Sequence, residues 1–196
     1  MTKTTYFTAT SLDGFIADAD NSLAWLFQFG DSGLGEHAAF IEGVGAVAMG
    51  STTYEWLLDN EIRPGSPAVK PWPYQQPCWV FTSRRLTVVA GADVRFVAGD
   101  VRPVHADMVA AANGKNVWLV GGGELVGQFF DHGLLDEVTV SIASVTLGAG
   151  APLLPRAITI PPMRLVKVKQ EGEAFVHLTY QVPRPATSDS SEVTLG

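Results

Sequence analysis

Three consecutive glycines, Gly121–Gly123, form the strongest candidate for a ligand-binding turn in this chain. They follow the apolar run Val117–Val120 and precede Glu124–Phe130, a segment whose composition favours a helix. Backbone without Cβ atoms approaches a ligand closely, and the first turn of a helix presents unpaired N–H groups and the positive end of the helix dipole. The pattern therefore indicates a phosphate-bearing ligand, and a tight structural turn explains it about equally well.

The glycine run differs from the two common nucleotide motifs. Gly127 falls one position too late for the G-x-G-x-x-G fingerprint of doubly wound folds, and no acidic residue follows at the expected distance. The chain also lacks the Gly-Lys-Ser/Thr sequence of a P-loop. A phosphate site here would have to belong to another fold.

Three carboxylates are candidates for handling a proton or orienting a substrate: Asp13, Asp31 and Glu36. Asp13 lies in the turn Ser11–Gly14, where an Asx-type turn is the structural alternative. Asp31 is placed to cap a helix, and Glu36 suits the solvated face of that helix. We carry all three forward as catalytic candidates beside these structural interpretations.

Composition excludes several classes of function. The chain has 196 residues, 46% of them hydrophobic, which fits one domain with a sizeable core. A net charge of −7 without a basic stripe argues against nucleic acid or an anionic membrane as partner. The four histidines are scattered, so we predict no metal site. A single cysteine, Cys78, and the lack of a signal-peptide pattern or a membrane-length apolar stretch predict a cytoplasmic protein.

The order of segments predicts an α/β protein. Strand-like and helix-like segments alternate as far as about residue 135, and strand-like segments alone follow. This order favours a partly parallel sheet that ends in antiparallel strands, with a final hairpin over residues 163–182. Residues 183–196 are rich in Pro, Ser, Thr and Asp, and we predict a disordered tail there.

The chain resembles the dihydrofolate reductase-like superfamily, and within it the group that shares the C-terminal reductase domain of the riboflavin-biosynthesis protein RibD. The resemblance covers residues 5–182. Five segments carry it in order: Thr10–Ala17, Met49–Glu55, Phe81–Arg84, Gly121–Leu125 and Leu135–Leu153.

The resemblance implies a three-layer fold over residues 1–182, with a central mixed, mostly parallel sheet flanked by helices and a C-terminal antiparallel hairpin. It also implies a homodimer and an NADPH-dependent reductase that transfers a hydride to a small heterocyclic substrate. That substrate would be pterin-like or folate-like, or a ribosylaminopyrimidine as in riboflavin biosynthesis.

The resemblance further implies a cofactor site. The pyrophosphate would be held by the glycine turn and the residues after it, Gly121, Gly122, Gly123, Glu124 and Leu125. The phosphates would also meet a second helix start, formed by Gly50, Ser51 and Thr52. The adenosine 2′-phosphate would be surrounded by the strand end Thr82, Ser83 and Arg84, and the nicotinamide would lie beside Ala9 and Ile16. The planar guanidinium of Arg84 suits a phosphate, which favours NADPH over NADH, and a solvated turn is the alternative.

On the substrate side, the resemblance leaves more than one interpretation open. Trp25 either stacks on a flat heterocycle or belongs to the core, and Tyr54 either contacts substrate or packs internally. Phe7 stands where the riboflavin-pathway reductases carry a lysine, and Ser51 stands where dihydrofolate reductases carry an arginine. A catalytically silent NADP(H)-binding protein and a structural or interaction module are the alternative functions.

Overall fold

The computed structural model describes residues 1–30, 32, 35–62 and 70–184. An eight-stranded sheet runs through its centre, and a short two-stranded sheet lies beside it. The strands are β1 (Thr4–Thr10), β2 (Phe15–Ala17), β3 (Val44–Gly50), β4 (Cys78–Phe81), β5 (Val94–Val97), β6 (Asn116–Gly121), β7 (Glu137–Ala143), β8 (Ala151–Pro152), β9 (Arg164–Glu171) and β10 (Phe175–Gln181). The helices are α1 (Ala24–Phe27), α2 (Gly35–Glu42), α3 (Ser51–Leu57), α4 (Val101–Ala111) and α5 (Gly123–Asp131). A π-helical turn, Leu58–Ile62, continues α3.

The central sheet has the order β5-β4-β3-β6-β1-β7-β10-β9. From β5 to β7 all neighbours are parallel, and β10 pairs antiparallel with both β7 and β9. The parallel strands β3, β4 and β6 therefore end at the same edge of the sheet, where the chain turns into α3 and α5. Such an edge is where open α/β sheets bind ligands.

Helices cover both faces of the parallel part of the sheet. Strand residues alternate between the faces, so Ala46 and Ala48 of β3 pack on the side of α4 and α5, while Val47 and Met49 pack on the side of α2 and α3. Both faces are apolar because both are buried. The predicted three-layer architecture with its C-terminal antiparallel hairpin is confirmed.

Two small elements were not predicted from the sequence. Helix α1 has four residues and no side-chain cap hydrogen bond among the described residues. Strand β8 follows the glycine-containing segment Leu147–Gly150 and pairs antiparallel with β2. Both depend on tertiary contacts, since segments this short have little intrinsic preference.

The predicted tail can be compared with the structure only at its start. Val182 hydrogen-bonds to the carbonyl of Asp136, and the chain is described as far as residue 184. Residues 185–196 of the predicted tail lie outside the described residues. No helix in the described ranges is long and apolar enough to cross a membrane.

Candidate functional site

Two helices begin at the carboxyl edge of the sheet without a side-chain cap. Gly50 precedes α3 and Gly122 precedes α5, both in extended backbone, and neither helix has a side-chain cap hydrogen bond from a described residue. At α4, by contrast, the Asp100 carboxylate accepts a hydrogen bond from the N–H of Arg102. The first N–H groups of α3 and α5 are therefore available to an external acceptor.

A cleft of about 330 Å³ opens between these helix starts, and we call it the phosphate-side cleft. Its wall combines glycine backbone with the hydroxyls of Ser51, Thr52, Thr82 and Ser83. The lining residues are Gly50, Ser51, Thr52, Phe81, Thr82, Ser83, Ala98, Gly99, Gly122, Glu124, Leu125 and Gln128. Small residues, hydroxyls and helix N–H groups form a surface suited to phosphate oxygens.

A second cleft of about 350 Å³ adjoins the first and is mostly apolar; we call it the ring-side cleft. Its lining residues are Thr8, Ile16, Ala17, Asn21, Leu23, Thr52, Thr53, Trp56, Val120, Gly121, Gly122, Gly123, Glu124, Ala151, Pro152 and Pro155. Both clefts are lined by Thr52, Gly122 and Glu124. Together they form one groove with a polar end and an apolar end, which suits a ligand with phosphates at one end and a flat ring at the other.

The three glycines of the turn have different structural roles. Gly121 has φ +137, a conformation that side chains rarely adopt, and the peptide bond between Gly121 and Gly122 is cis. A Cβ on Gly123 would lie 2.4 Å from the carbonyl oxygen of Leu153, so close packing of α5 requires glycine there. A Cβ on Gly122 would meet no atom within 4 Å. The tight-turn interpretation thus accounts for Gly121 and Gly123, and Gly122 leaves open space in the groove.

Most of the predicted cofactor residues line this groove. Those that do are Ile16, Gly50, Ser51, Thr52, Thr82, Ser83, Gly121, Gly122, Gly123, Glu124 and Leu125. The two that do not are Ala9 and Arg84. Ala9 packs against the small core cluster around Trp25.

The guanidinium of Arg84 lies in a bidentate ion pair outside the groove. It donates to the two carboxylate oxygens of Glu55 at 3.0 and 2.6 Å, and both side chains are partly exposed. Its neighbours Thr82 and Ser83 do line the phosphate-side cleft. A ligand phosphate would have to compete with Glu55 for this cation.

The one ionisable side chain in the wall of either cleft, within the described ranges, is Glu124. Arg156 donates to both of its carboxylate oxygens at 2.9 Å and also donates to Asp131. The hydrogen bonds from Arg156 lower the pKa of Glu124. The guanidinium lies directly over Gly127, where a Cβ would be 2.5 Å from its central carbon. Arg156 therefore offsets a negative charge next to the helix start that would receive phosphate.

Asp13 has a structural position rather than a place in the wall of the groove. Its carboxylate accepts hydrogen bonds from the Ser11 hydroxyl at 2.6 Å and from the N–H groups of Leu147 and Gly148 at 3.1 and 2.7 Å. The bond from Ser11, followed by that from Gly148, lowers its pKa. A carboxylate so fully engaged holds the turn before β2 against the loop before β8, and the structure does not bring it to the groove as a proton donor.

The other two carboxylates also fall outside the groove. Glu36 forms ion pairs with Lys167 and Lys169 of β9, and the hydrogen bonds from these lysines lower its pKa to about 2. It is ionised and is held on the far side of the molecule from α5. Asp31 lies outside the described residues. In the described ranges, no group of three or more His, Cys, Asp or Glu side chains is placed to hold a metal ion.

Both aromatic residues predicted on the substrate side are buried. Trp25 packs with Ala143 and Phe175 in a small core cluster, and Tyr54 is fully buried and donates its hydroxyl to the carbonyl of Thr87 at 2.6 Å. For both residues, the interpretation that the side chain packs internally agrees with the structure. The tryptophan in the wall of the ring-side cleft is Trp56.

Helix periodicity could have identified Trp56. It follows Thr52 and Thr53 by four and three residues, so the three side chains share one face of α3. The other ring-side residues that sequence reasoning missed, apart from Thr53 and Val120, come from β1, β2, β8 and the segments beside them: Thr8, Ala17, Asn21, Leu23, Ala151, Pro152 and Pro155. Only the folded chain brings these segments together, and no local pattern marks them.

Comparison with known proteins agrees with the fold. The model of the RibD C-terminal domain matches residues 2–177. Uncharacterized protein YwjB of Bacillus subtilis (strain 168) is 34% identical over 179 residues, which cover 91% of this chain and 97% of YwjB.

Two solved structures show the same fold. A putative riboflavin biosynthesis protein from Shewanella sp. PV-4 superposes with a TM-score of 0.75 at 27% identity, covering 93% of this chain and 99% of that one. Dihydrofolate reductase from Enterococcus faecalis, complexed with NADP(H) and RAB-propyl, superposes with a TM-score of 0.57 at 16% identity, covering 91% and 95%. The match over nearly the whole length, on a dihydrofolate reductase-like fold, places this chain in the RibD C-terminal domain family.

Proposed function

We propose that the protein is an NADPH-dependent reductase that transfers a hydride to a small heterocyclic substrate. The observation that carries the proposal is the two-part groove: glycine-led, uncapped helix starts at one end and an apolar ring-sized space at the other. The family is one of reductases, and the related fold from E. faecalis holds NADP(H). Because one fold hosts many activities, we base the proposal on the groove as well as on the family.

The residues of the groove fit an extended dinucleotide. The open space above Gly122, together with the N–H groups of α5 and the hydroxyls of Ser51 and Thr52, would accept pyrophosphate oxygens. The apolar wall formed by Ile16 and Val120 would hold a nicotinamide ring and exclude water from it. When bound, the reduced nicotinamide supplies the hydride, and the chain contributes alignment of the two rings.

Preference for the phosphorylated cofactor would come from Arg84. An exposed ion pair contributes only about 0–1 kcal/mol, so a 2′-phosphate can displace Glu55 from the guanidinium. Phosphate accepts the same bidentate pattern as carboxylate and carries more charge. Substitution of Arg84 by Gln should therefore weaken NADPH binding and leave NADH binding unchanged.

The proton needed to complete a reduction would come from water. The described wall of the groove holds no protonated acid, since Glu124 is ionised beside Arg156 and both Asp13 and Glu36 are engaged elsewhere. The Thr53 hydroxyl is available to orient a water or a substrate polar edge, and the Thr8 hydroxyl, which donates to the carbonyl of Ala9 at 3.3 Å, can still accept a hydrogen bond. This same observation favours one other function, a protein that binds NADP(H) without turnover.

Thermal-shift titration with NADPH, NADH and NADP⁺ tests the proposal, and a screen of NADPH oxidation with pterins, folates and aminopyrimidines follows it. Ligand at about a hundred times its Kd should add roughly 2.7 kcal/mol of stability. We expect NADPH to stabilise the protein well beyond NADH. Binding without oxidation of NADPH by any of these substrates would favour the silent binding protein. If none of the three nucleotides shifts the melting temperature, the reductase proposal is refuted and a structural or interaction module is the remaining function.

Cellular location and assembly are also proposals. One buried thiol, Cys78, suits the reducing cytoplasm. A homodimer is expected from the family resemblance, and the open face of the C-terminal hairpin is the surface that we assign to it below.

A further inference from the structure

Helix α5 carries two carboxylates and a glycine on one face, and a single arginine side chain lies across them. Glu124, Gly127 and Asp131 are spaced three and four residues apart, so they share that face. The guanidinium of Arg156 donates to both oxygens of Glu124 at 2.9 Å, and its Nε donates to the Asp131 carboxylate at 3.0 and 2.9 Å. The Arg156 side chain is 21% exposed, against 66% for Glu124 and 45% for Asp131. Two carboxylates of α5 therefore hold Arg156 in one orientation.

Gly127 is the position that makes room for this arginine. A Cβ there would lie 2.5 Å from the central guanidinium carbon and 2.8 Å from each terminal nitrogen, so alanine would displace the guanidinium. Glycine inside a helix lowers stability relative to alanine, and ion pairs to exposed carboxylates add little to stability. Stability alone therefore gives little reason for a glycine at this position. The glycine that falls one position too late for a dinucleotide fingerprint instead admits a cation beside Glu124.

The charge of Glu124 matters because of where the residue lies. It is in the first turn of α5 and lines both clefts of the groove. The start of a helix carries roughly half a positive elementary charge, whereas an unpaired carboxylate carries a full negative one. An unpaired Glu124 would therefore outweigh the attraction of this helix start for pyrophosphate. Pairing with Arg156 removes the net negative charge and leaves the N–H groups of α5 as the dominant local feature.

The same arginine borders the apolar end of the groove through its neighbours in sequence. Its Nη1 donates to the carbonyl of Pro155 at 2.9 Å, and its backbone N–H donates to the carbonyl of Leu154 at 2.8 Å. Pro155 lines the ring-side cleft together with Pro152. Anchoring of Arg156 on α5 therefore also holds part of the wall of the ring-side cleft in place.

We propose that Arg156 is a positioning residue for the cofactor: it neutralises Glu124 so that the start of α5 can accept the pyrophosphate, and Gly127 gives it the space to do so. Among the described residues, Arg156 is not part of the wall of either cleft, so it acts through Glu124 and not by contact with the ligand. The inference rests on the proposed NADPH-dependent function and adds to it a residue outside the groove. Loss of Arg156 should weaken cofactor binding only while Glu124 keeps its charge.

Calorimetric titration of NADPH tests this dependence in four proteins: the wild type, Arg156→Met, Glu124→Gln and the double variant. We expect the Kd of Arg156→Met to rise about tenfold, because Glu124 then repels the phosphates unopposed. The Kd of Glu124→Gln and that of the double variant should stay within about threefold of the wild-type value or fall below it. A loss of affinity that persists in the double variant would show a structural role for Arg156 and overturn the proposal. Weaker binding by Glu124→Gln alone would show that Glu124 contacts the cofactor, which also overturns it.

The salt dependence of the same titrations separates charge from packing. At an ionic strength of about 1 M the Debye length falls to about 3 Å, so repulsion between Glu124 and the phosphates is screened. The ratio of the Kd of Arg156→Met to that of the wild type should therefore shrink in high salt. A ratio that does not change with salt would contradict the electrostatic basis of the proposal.

Two further variants leave Arg156 itself unchanged. Gly127→Ala displaces the guanidinium without altering a charge, so it should weaken NADPH binding, and Glu124→Gln should restore the affinity; this variant carries the test if Arg156→Met does not fold. Asp131→Asn removes the other carboxylate and leaves Glu124 paired, so its Kd should stay within about twofold of the wild-type value. An unchanged Kd in Gly127→Ala, or a loss in Asp131→Asn as large as that in Arg156→Met, would overturn the proposal.

The wild-type titration distinguishes this inference from the function on which it rests. If the wild type does not bind NADPH, the proposed reductase function fails, and the role of Arg156 fails with it. If the wild type binds NADPH and Arg156→Met binds it equally well, only the present inference fails.

Discussion

Gly50 connects β3 to α3 in extended backbone, with φ −80 and ψ 166, a conformation open to any residue. A Cβ here would lie no closer than 3.8 Å to other atoms, so a small side chain fits. Asp and Asn are both good N-cap residues and should cap α3 equally, but only Asp adds negative charge at the helix start. We expect Gly50→Asp to keep or raise the Tm and to weaken NADPH binding at least tenfold, as measured by calorimetry.

The matched variant Gly50→Asn separates charge from occupancy of the groove. It should bind NADPH several-fold more tightly than Gly50→Asp, because it caps the helix without repelling phosphate. Identical affinities in the two variants would contradict a phosphate at this helix start.

Tyr54 provides the converse test, of a residue that the structure removes from the substrate side. Its buried hydroxyl donates to the carbonyl of Thr87, so Tyr54→Phe should lower the free energy of unfolding by about 1 kcal/mol. The Kd for NADPH should stay within twofold of the wild-type value. Chemical denaturation measures the free energy of unfolding, and calorimetry measures the Kd. A large loss of NADPH affinity in a stably folded variant would indicate that Tyr54 does contribute to the ligand site.

At the residue scale, glycines and hydroxyl residues of the groove could be predicted because their types are tied to local backbone requirements. The aromatic residues could not. Trp25 and Trp56 are the same residue type, and no sequence pattern separates their roles. Tertiary packing places Trp25 in the core and Trp56 in the wall of the cleft. Asp13 was a candidate beside an Asx-type turn residue, and no local pattern could identify its partners Leu147 and Gly148, because they lie more than a hundred residues away.

Helices α2 and α5 are held to the rest of the fold by contacts whose contribution to stability can be measured. Helix α2 meets β9 through Glu36, which pairs with Lys167 and Lys169, and through Glu171, which accepts from the N–H of Gly35. These contacts fix the helix to the edge of the sheet farthest from β5. The pKa of Glu36 falls from 4.5 to about 2, because folding favours its ionised form.

This pKa shift predicts a pH-dependent contribution to stability. The contribution is complete above pH 4.5 and is lost as the pH falls from 4.5 towards 2. We expect Glu36→Gln to lower the free energy of unfolding by about 1 kcal/mol at pH 7 and by less at pH 3. The value at pH 7 is kept this small because both lysines are half exposed and solvent screens the ion pairs. Urea denaturation at both pH values measures the difference. The control Glu61→Gln, which removes a pairing with one exposed lysine, should cost less at pH 7; an equal cost would contradict the assignment.

Helix α5 approaches the loop after β8 so closely that one glycine is obligatory. A Cβ on Gly123 would lie 2.4 Å from the oxygen of Leu153 and 2.5 Å from that of Pro152, both backbone atoms that cannot move alone. We expect Gly123→Ala to cost about 1–3 kcal/mol of stability. Gly127→Ala meets side-chain atoms of Arg156 rather than backbone, so its loss in Tm should be smaller; the reverse order would contradict this packing.

At the element scale, the sequence predicts the alternation of strands and helices and the final antiparallel hairpin, because residue periodicity and glycine or proline punctuation agree with the final contacts. Helix α4 begins at Val101, directly after its cap Asp100. The π-helical turn Leu58–Ile62 has no local signature and follows from burial of Leu58 and Ile62 in the core.

At the scale of the whole molecule, the described residues leave one face of the C-terminal hairpin exposed. Beyond β7 the hairpin β9–β10 continues the sheet, and Leu165 and Val168 of β9 are 49% and 59% exposed opposite Tyr180 and Leu178. An apolar surface on an edge strand invites pairing with another chain. We assign the proposed homodimer interface to this hairpin face.

Substitution of Val168 by Asp should therefore convert a dimer to a monomer. Light scattering coupled to size exclusion should give twice the chain mass of 20.9 kDa for the wild type and 20.9 kDa for the variant. Val88→Asp, at an equally exposed valine away from the hairpin, should remain dimeric. A monomeric wild type at micromolar concentration would reject the dimer, and a dimeric Val168 variant would reject this face.

The polar end of the groove has a practical consequence for how such a site can be mapped. Its proposed phosphate contacts come from main-chain N–H groups in the first turns of α3 and α5, directly after Gly50 and Gly122, and neither glycine has a side chain to truncate. An alanine scan, which detects function by removing side chains, would pass over both positions or report them as minor. A scan that adds volume or charge would identify them at once. Where backbone N–H groups hold a ligand, functional surveys should therefore install side chains as well as delete them.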